Sequence, residues 1–263
     1  MFSGFMLNSW IVATLVAVVA GIIGFFVVAR GAAFAAHSLP LSAFPGAALA
    51  AVLGVNPVLC MILFAGLGVL GISQLGRLAR QDVATGLTLV ALLGLGSLFL
   101  SQTQEYSQAV YALLFGEVLG IGNDQIVPEA IAGLAAIGLT GFLVRPLLLN
   151  SLSPELGELR GIPARRMEIC FLAVVALATA SAVPVVGALL VFSLMVAPPA
   201  AARLLTRRPG AAMALSVAIA LVTVWAAIAL SYQTNWPIGF FVGGLGALFY
   251  GFARLRPVVA VLG

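Results

Sequence analysis

Few side chains in this chain can do chemistry. There is one histidine, His37, there are two cysteines, Cys60 and Cys170, and there are eight carboxylates. All 12 basic residues are arginine. Without lysine, a phosphate-binding GxxxxGK[ST] loop cannot be built and no Schiff base can form. An imidazole suits zinc, iron or nickel. His37 has only Ser38 beside it, and a closed metal site takes about four ligands. Its two readings are therefore a structural histidine and one transient ligand of a passing ion, with water or backbone carbonyls supplying the rest. Glu117 reads either as an interfacial carboxylate at the end of a short helix or as part of an outer vestibule. Glu105, Asp124 and Glu129 read as a solvated face on that same side, where negative potential would concentrate cations. Cys60 and Cys170 lie in apolar runs and read as small core residues.

The elements that must position these groups follow from composition. Of the 263 residues, 63% are apolar and only 8% charged, against roughly 25% charged in a soluble protein. That excludes a soluble globular fold and disorder, and makes lipid the natural solvent of the chain. The arginines are scattered over loop positions instead of massed in one patch, which excludes nucleic acid as a partner. Met1 to Ser9 carries no basic residue, and the apolar stretch Trp10–Ala29 ends at Arg30. It reads as a retained first span.

The charge-free blocks set the number of passes. There are 46 uncharged residues between Arg30 and Arg77, with a turn at Asn56-Pro57, and 45 between Arg208 and Arg254, with a turn at 231–237. One span takes about 20 residues, so each block is a hairpin of two passes. The 34 residues between Glu168 and Arg203 make two shorter passes that turn at Val183-Pro184 and Gly187. One pass leads out over about 83–101 and one returns over about 126–144, with a short helix over 106–121 between them. The total is nine spans, or eight if the block after Glu168 or the first helix is read differently. All 12 arginines then share one face, which the positive-inside rule makes cytoplasmic, with the N-terminus outside and the C-terminus inside. Ser38-Leu39-Pro40 suggests a break early in the second span, and Pro198-Pro199 a kink or a break whose freed carbonyls line a cavity.

The longest polar insertion, Asn150 to Arg166, lies on the arginine side. Ser153-Pro154-Glu155 reads as a helix start, with a capping hydroxyl, proline at the first position and an acid in the first turn. Gly161 reads as its stop. By itself this short helix is a docking element or a connector.

Four stretches, in order, resemble the permease subunits of metal-ion ABC importers of the zinc, manganese and iron class. Ser-Pro-Glu-Leu-Gly-Glu-Leu-Arg-Gly-Ile from Ser153 is similar to that family's coupling loop, D-P-E-x-A-x-x-x-G-[IV]. The stretch 185–206, VGALLVFSLMVAPPAAARLLT after its first valine, resembles V-G-x-L-L-V-x-x-L-L-x-x-P-A-A-x-A-x-L. Phe115-Gly-Glu-Val-Leu resembles F-G-[DE]-x-L, and 35–50 resembles G-D-x-[LM]-[AS]-H-[AS]-x-x-P-G-x-[AL].

The resemblance implies a single all-α, polytopic permease domain over 1–263, like a type II ABC importer, with about eight to nine transmembrane helices. It implies a homodimer in a bacterial cytoplasmic membrane, embedded in lipid, with the substrate path along the dimer axis. Two cytoplasmic ATPase subunits would grip the loop at about 150–167, with Ser153, Pro154, Glu155, Gly157 and Gly161 as its coupling residues. An extracytoplasmic metal-binding protein would deliver a divalent ion, and His37 and Glu117 would lie along the path. No catalytic residue and no resident cofactor are implied. The sequence departs from the pattern where the family often places an Asp and, one turn later, a His: His37 stands at the first position and Leu41 at the second. The alternative is a self-sufficient secondary cation carrier or channel. It would need carboxylates embedded in the membrane, and the uncharged blocks offer none.

Overall fold

The computed structural model describes residues 4–78, 80–102, 123–152 and 154–255. Glu117, Ser153 and the helix expected over 106–121 lie outside the described residues, as does the C-terminus. Among the described residues the secondary structure is helical, and no strand occurs. The helices are α1 (Gly4–Ala29), α2 (Ala33–Ser42), α3 (Phe44–Leu53), α4 (Pro57–Leu75), α5 (Gln81–Leu100), α6 (Asn123–Leu152), α7 (Pro154–Leu159), α8 (Ala164–Val186), α9 (Ala188–Leu205), α10 (Pro209–Thr234) and α11 (Ile238–Leu255). Among the described residues, eight stretches are long and apolar enough to cross a membrane: α1, α2 with α3, α4, α5, α6, α9, α10 and α11. The charge-free part of α8, residues 169–186, runs through the middle of the bundle, with Leu172, Val175, Ala178 and Ala182 all buried.

α1 is the central helix. Its small residues Ala13, Ala17 and Ala20 recur at helical spacing and are buried together with Val12, Val16, Ile23 and Phe26. Small residues let neighbouring helices approach closely in lipid, where no hydrophobic force drives helix association. α10 runs antiparallel to α1. Ser216 donates to the Gly21 carbonyl at 2.8 Å and the Trp225 indole donates to the Thr14 hydroxyl at 3.0 Å, so rising numbers on one helix meet falling numbers on the other. The opposite face of the bundle is lipid-like. Leu59, Leu63, Leu67 and Leu70 make an exposed stripe along α4, and Val127, Ile131 and Leu134 another on α6.

The breaks fall where the backbone requires them, which in one case is not where the sequence suggests. The second span stays helical through Pro40 and turns at Ala43 instead of at 38–40. Proline removes one helical donor. The carbonyl it leaves without a helical donor is that of Ala36, while the nearby hydroxyls bond their own helix, Ser42 donating to the Ser38 carbonyl at 2.8 Å and Ser38 to the Ala35 carbonyl at 3.1 Å. Pro45, in the first turn of α3, has no N–H for the Leu41 carbonyl and its ring crowds that carbonyl, so α2 cannot run on through it. Asn56 caps α4 by accepting from the Val58 and Leu59 amides, with Pro57 at the first helical position. α8 continues through Pro184 to Val186, and Gly187, at φ 81°, makes the junction to α9.

α9 is continuous across Pro198 and Pro199, so the paired prolines do not break it. Pro199 has no N–H for the carbonyl of Met195, four residues back. The α1 backbone closes onto that carbonyl at Gly24, where an added Cβ would lie within 2.4 Å of the Met195 oxygen. Only glycine permits this approach, and α1 and α9 meet there as backbone against backbone.

Candidate functional site

The short helix expected after Asn150 is present. α7 begins at Pro154, as the Ser-Pro-Glu start requires, and ends at Leu159; it does not extend to Arg166. Its stop is a glycine in the left-handed region. Gly161 has φ +74°, its amide donates to the Glu158 carbonyl at 2.9 Å, and the Ile162 amide reaches back to the Gly157 carbonyl at 2.9 Å. This pattern satisfies the last carbonyls of a helix and turns the chain sharply, here into α8. Glu155 is exposed on α7, whereas Gly157 is buried against the Asn150 side chain of α6. The helix is thus seated on the ends of α6 and α8 and shows an acidic face outward.

Around it the helix ends are polar: some are paired, whereas the Arg30 Nη1 and Asn150 Nδ2 are buried without a hydrogen-bond partner. Gln81, at the start of α5, donates to Glu168 of α8. Arg203, at the end of α9, donates to the Val28 carbonyl at the end of α1, 2.8 Å away. The Arg30 guanidinium lies 5.0 Å from the centre of the Phe171 ring. Burial pushes the Arg30 pKa down and the Glu168 charge pushes it partly back. Two cavities open here, of about 360 and 420 Å³. They share Gln81, Ala164 and Glu168; the first also reaches Arg30 and Asn150, and the second Arg77, Glu158 and Arg165. The structure therefore gathers Arg30, Arg77, Arg165 and Arg203 at one end of the bundle, as the arrangement of uncharged blocks demands.

His37 sits elsewhere, in α2, with its ring edge-on to Phe192 of α9 at 4.7 Å between centres and 65° between planes. It is half-buried, and its Nδ1 is buried without a hydrogen-bond partner. Leu41, one turn on, packs against the apolar core and brings no second ligand. Among the described residues, no group of three His, Cys, Asp or Glu side chains could hold a metal ion. Cys60 and Cys170 are free and half-buried. What the structure shows is one half-buried imidazole between α2 and α9, packed on Phe192, with its Nδ1 buried and without a hydrogen-bond partner.

Glu129 requires a correction. The sequence placed it on a solvated face, but it is only 3% exposed, inside the span Ile126–Ser151. The uncharged blocks hold no carboxylate, but the span Ile126–Ser151 holds this one. Its apolar flanks, Ile126-Val127-Pro128 and Ala130-Ile131-Ala132, are the signal that separates it from the carboxylates of the loops. Gln81 and Phe192 were not singled out by sequence reasoning either, because each owes its place to a contact with a distant part of the chain.

The sequence pattern of the ABC 3 transport family matches residues 3–253. The manganese transport system membrane protein MntC of Listeria innocua is 27% identical over 235 residues, covering 88% of this chain and 83% of that protein. The high-affinity zinc uptake system membrane protein ZnuB of Haemophilus influenzae is 26% identical over 211 residues, covering 80% of this chain and 81% of that protein. The fold is that of a chain in the solved structure of PsaBC from Streptococcus pneumoniae in complex with Fab, with a TM-score of 0.88 and 23% identity, over 99% of this chain and 95% of that one.

Proposed function

Because this chain belongs to the ABC 3 transport family, we propose that it is the membrane-spanning permease subunit of an importer for a divalent metal cation of the manganese and zinc class, driven by ATP hydrolysis on a separate subunit. The observation that carries this reading is the family match over almost the whole chain, residues 3–253. It is supported by the manganese and zinc transport proteins to which the chain is similar.

The path runs between two copies of the chain, so that each brings one His37. Two imidazoles, with water and backbone carbonyls, make a loose and incomplete ligand set, and incomplete ligation suits a protein that must release what it binds. Glu117 adds negative charge at the outer vestibule. An extracytoplasmic metal-binding protein delivers the ion there, and the chain needs no resident cofactor of its own.

At the other end a cytoplasmic ATPase subunit grips α7. Because α7 is seated on α6 and α8, a push on it moves two long helices that pack against α1, the centre of the bundle. The arginine-bearing end faces the cytoplasm of a bacterial cell, the N-terminus lies outside and the C-terminus inside.

The test is co-purification with the ATPase subunit. Parent chain should bring the ATPase down, and Glu155→Arg, which reverses the charge on the exposed face of α7, should lose it while the membrane domain still runs as a folded dimer. Equal recovery by both chains would leave α7 as a connector only.

A further inference from the structure

A carboxyl group is buried in the bundle, and among the described residues nothing answers its charge. Glu129 of α6 is 3% exposed, and no hydrogen bond or ion pair reaches it among the described residues. It lies beside a void of about 10 Å³, room for about one water, lined by Leu15, Val16 and Val19 of α1, Gly133 of α6, and Ala178 and Ala182 of α8.

Among the described residues, no titratable group faces it from the helices packed around it. α1 contains none. Those of α8 are Arg165, Arg166, Glu168 and Cys170, all at its other end; even Cys170 is eight positions from Ala178, about 12 Å along a helix. On α6 itself the others are Asp124, five positions earlier, and Arg145. A bare carboxylate in such surroundings is far too costly, and the group either neutralises or opens to water. An ionisable side chain inside a membrane bundle marks a functional site by default.

We propose that Glu129 is a proton-binding site of the membrane domain, occupied while α1, α6 and α8 are closed around it and emptied when their seam opens to water. Its ligand is a proton. One carboxyl among apolar side chains offers a metal ion neither enough ligands nor a way to shed its water. The small residues Gly133, Ala178 and Ala182 let the seam close over the acid, and separating α1 from α8 is enough to wet it. Protonation and closure are then linked: acid holds the seam shut, and loss of the proton favours the open state.

The experiment uses the chain with its ATPase in lipid nanodiscs. Infrared spectra at about neutral pH should show the carbonyl stretch of a protonated carboxylic acid in the parent. The band should vanish in Glu129→Gln and shift in Glu129→Asp. A parent without the band, or a band unchanged in both variants, would overturn the proposal. The second arm is ATP-driven uptake between roughly pH 6 and pH 8 and rests on the permease reading. Glu129→Gln copies the proton-bound state, so it should match the parent on the acid side and fall below it on the alkaline side, on the order of fivefold. Equal uptake across the range would reject the linkage. If neither chain takes up metal at any pH, the transport reading fails while the infrared band still decides the proton site.

Discussion

At the arginine-bearing end, Gln81 meets Glu168, Arg203 meets the Val28 carbonyl, and Arg30 lies over the Phe171 ring with Glu168 near it. Deeper in the bundle, Glu129 has no partner among the described residues, and His37 has one open nitrogen and an aromatic edge. The two regions differ in degree, because Arg30 Nη1 and Asn150 Nδ2 at the arginine-bearing end are also buried without a hydrogen-bond partner. Helix ends have water, loops and a partner subunit within reach, so charge there is cheap and pairing adds little. In the middle of a bundle an unpaired polar group is expensive, and one that persists points to a task. Under the proposed function the first region would transmit force, and the second would handle small ions.

That contrast can be broken most severely at the helix ends. Gly161→Pro fixes a φ near −65° where the chain holds +74°, and deletes the amide that donates to Glu158. ATP-driven uptake should fall by more than about tenfold, while size-exclusion behaviour and helix content stay those of the parent. Normal uptake by this variant would show that α7 transmits nothing.

A smaller effect is expected in the middle. His37→Ala should lower metal uptake several-fold without loss of expression or ATPase binding, and His37→Asp should keep part of it because a carboxylate can replace the missing ligand. Parent-like uptake by His37→Ala at every pH would leave a histidine that merely packs on Phe192.

The smallest effect belongs to an exposed pair at the helix ends. Gln81→Ala removes the hydrogen bond to Glu168, worth about 1 kcal/mol, and should lower the thermal midpoint slightly with uptake intact. A large loss of transport in this variant would mean that the α5–α8 contact is part of the moving machinery, and would erase the distinction drawn between the regions.

Much of the architecture was legible in the sequence, for physical reasons. A membrane allows few ways to satisfy a backbone, so uncharged blocks of known length translate into helices. The start of α7 at Pro154 and its stop at Gly161 could be read because capping is local chemistry. The turn at Ala43 was misplaced at Pro40: α2 stays helical through that proline, and it is Pro45, at the start of α3, that ends the run. Glu129 was misread for a different reason. Burial is set by what packs against a residue, and α1 and α8 are more than a hundred and about fifty positions away from it respectively in one direction and the other. The contact of His37 with Phe192 has the same origin. The resemblance to a family could place His37 on a path, but not show what it faces.

The central claim is that this chain moves a divalent metal ion only when a separate ATPase drives it. The direct test is uptake of manganese or zinc by proteoliposomes holding this chain with its ATPase and its metal-binding protein. Accumulation should require ATP inside the ATPase-bearing compartment and the presence of all three proteins. Accumulation by the chain alone, driven by an ion gradient and indifferent to ATP, would contradict the account and make the protein a secondary carrier.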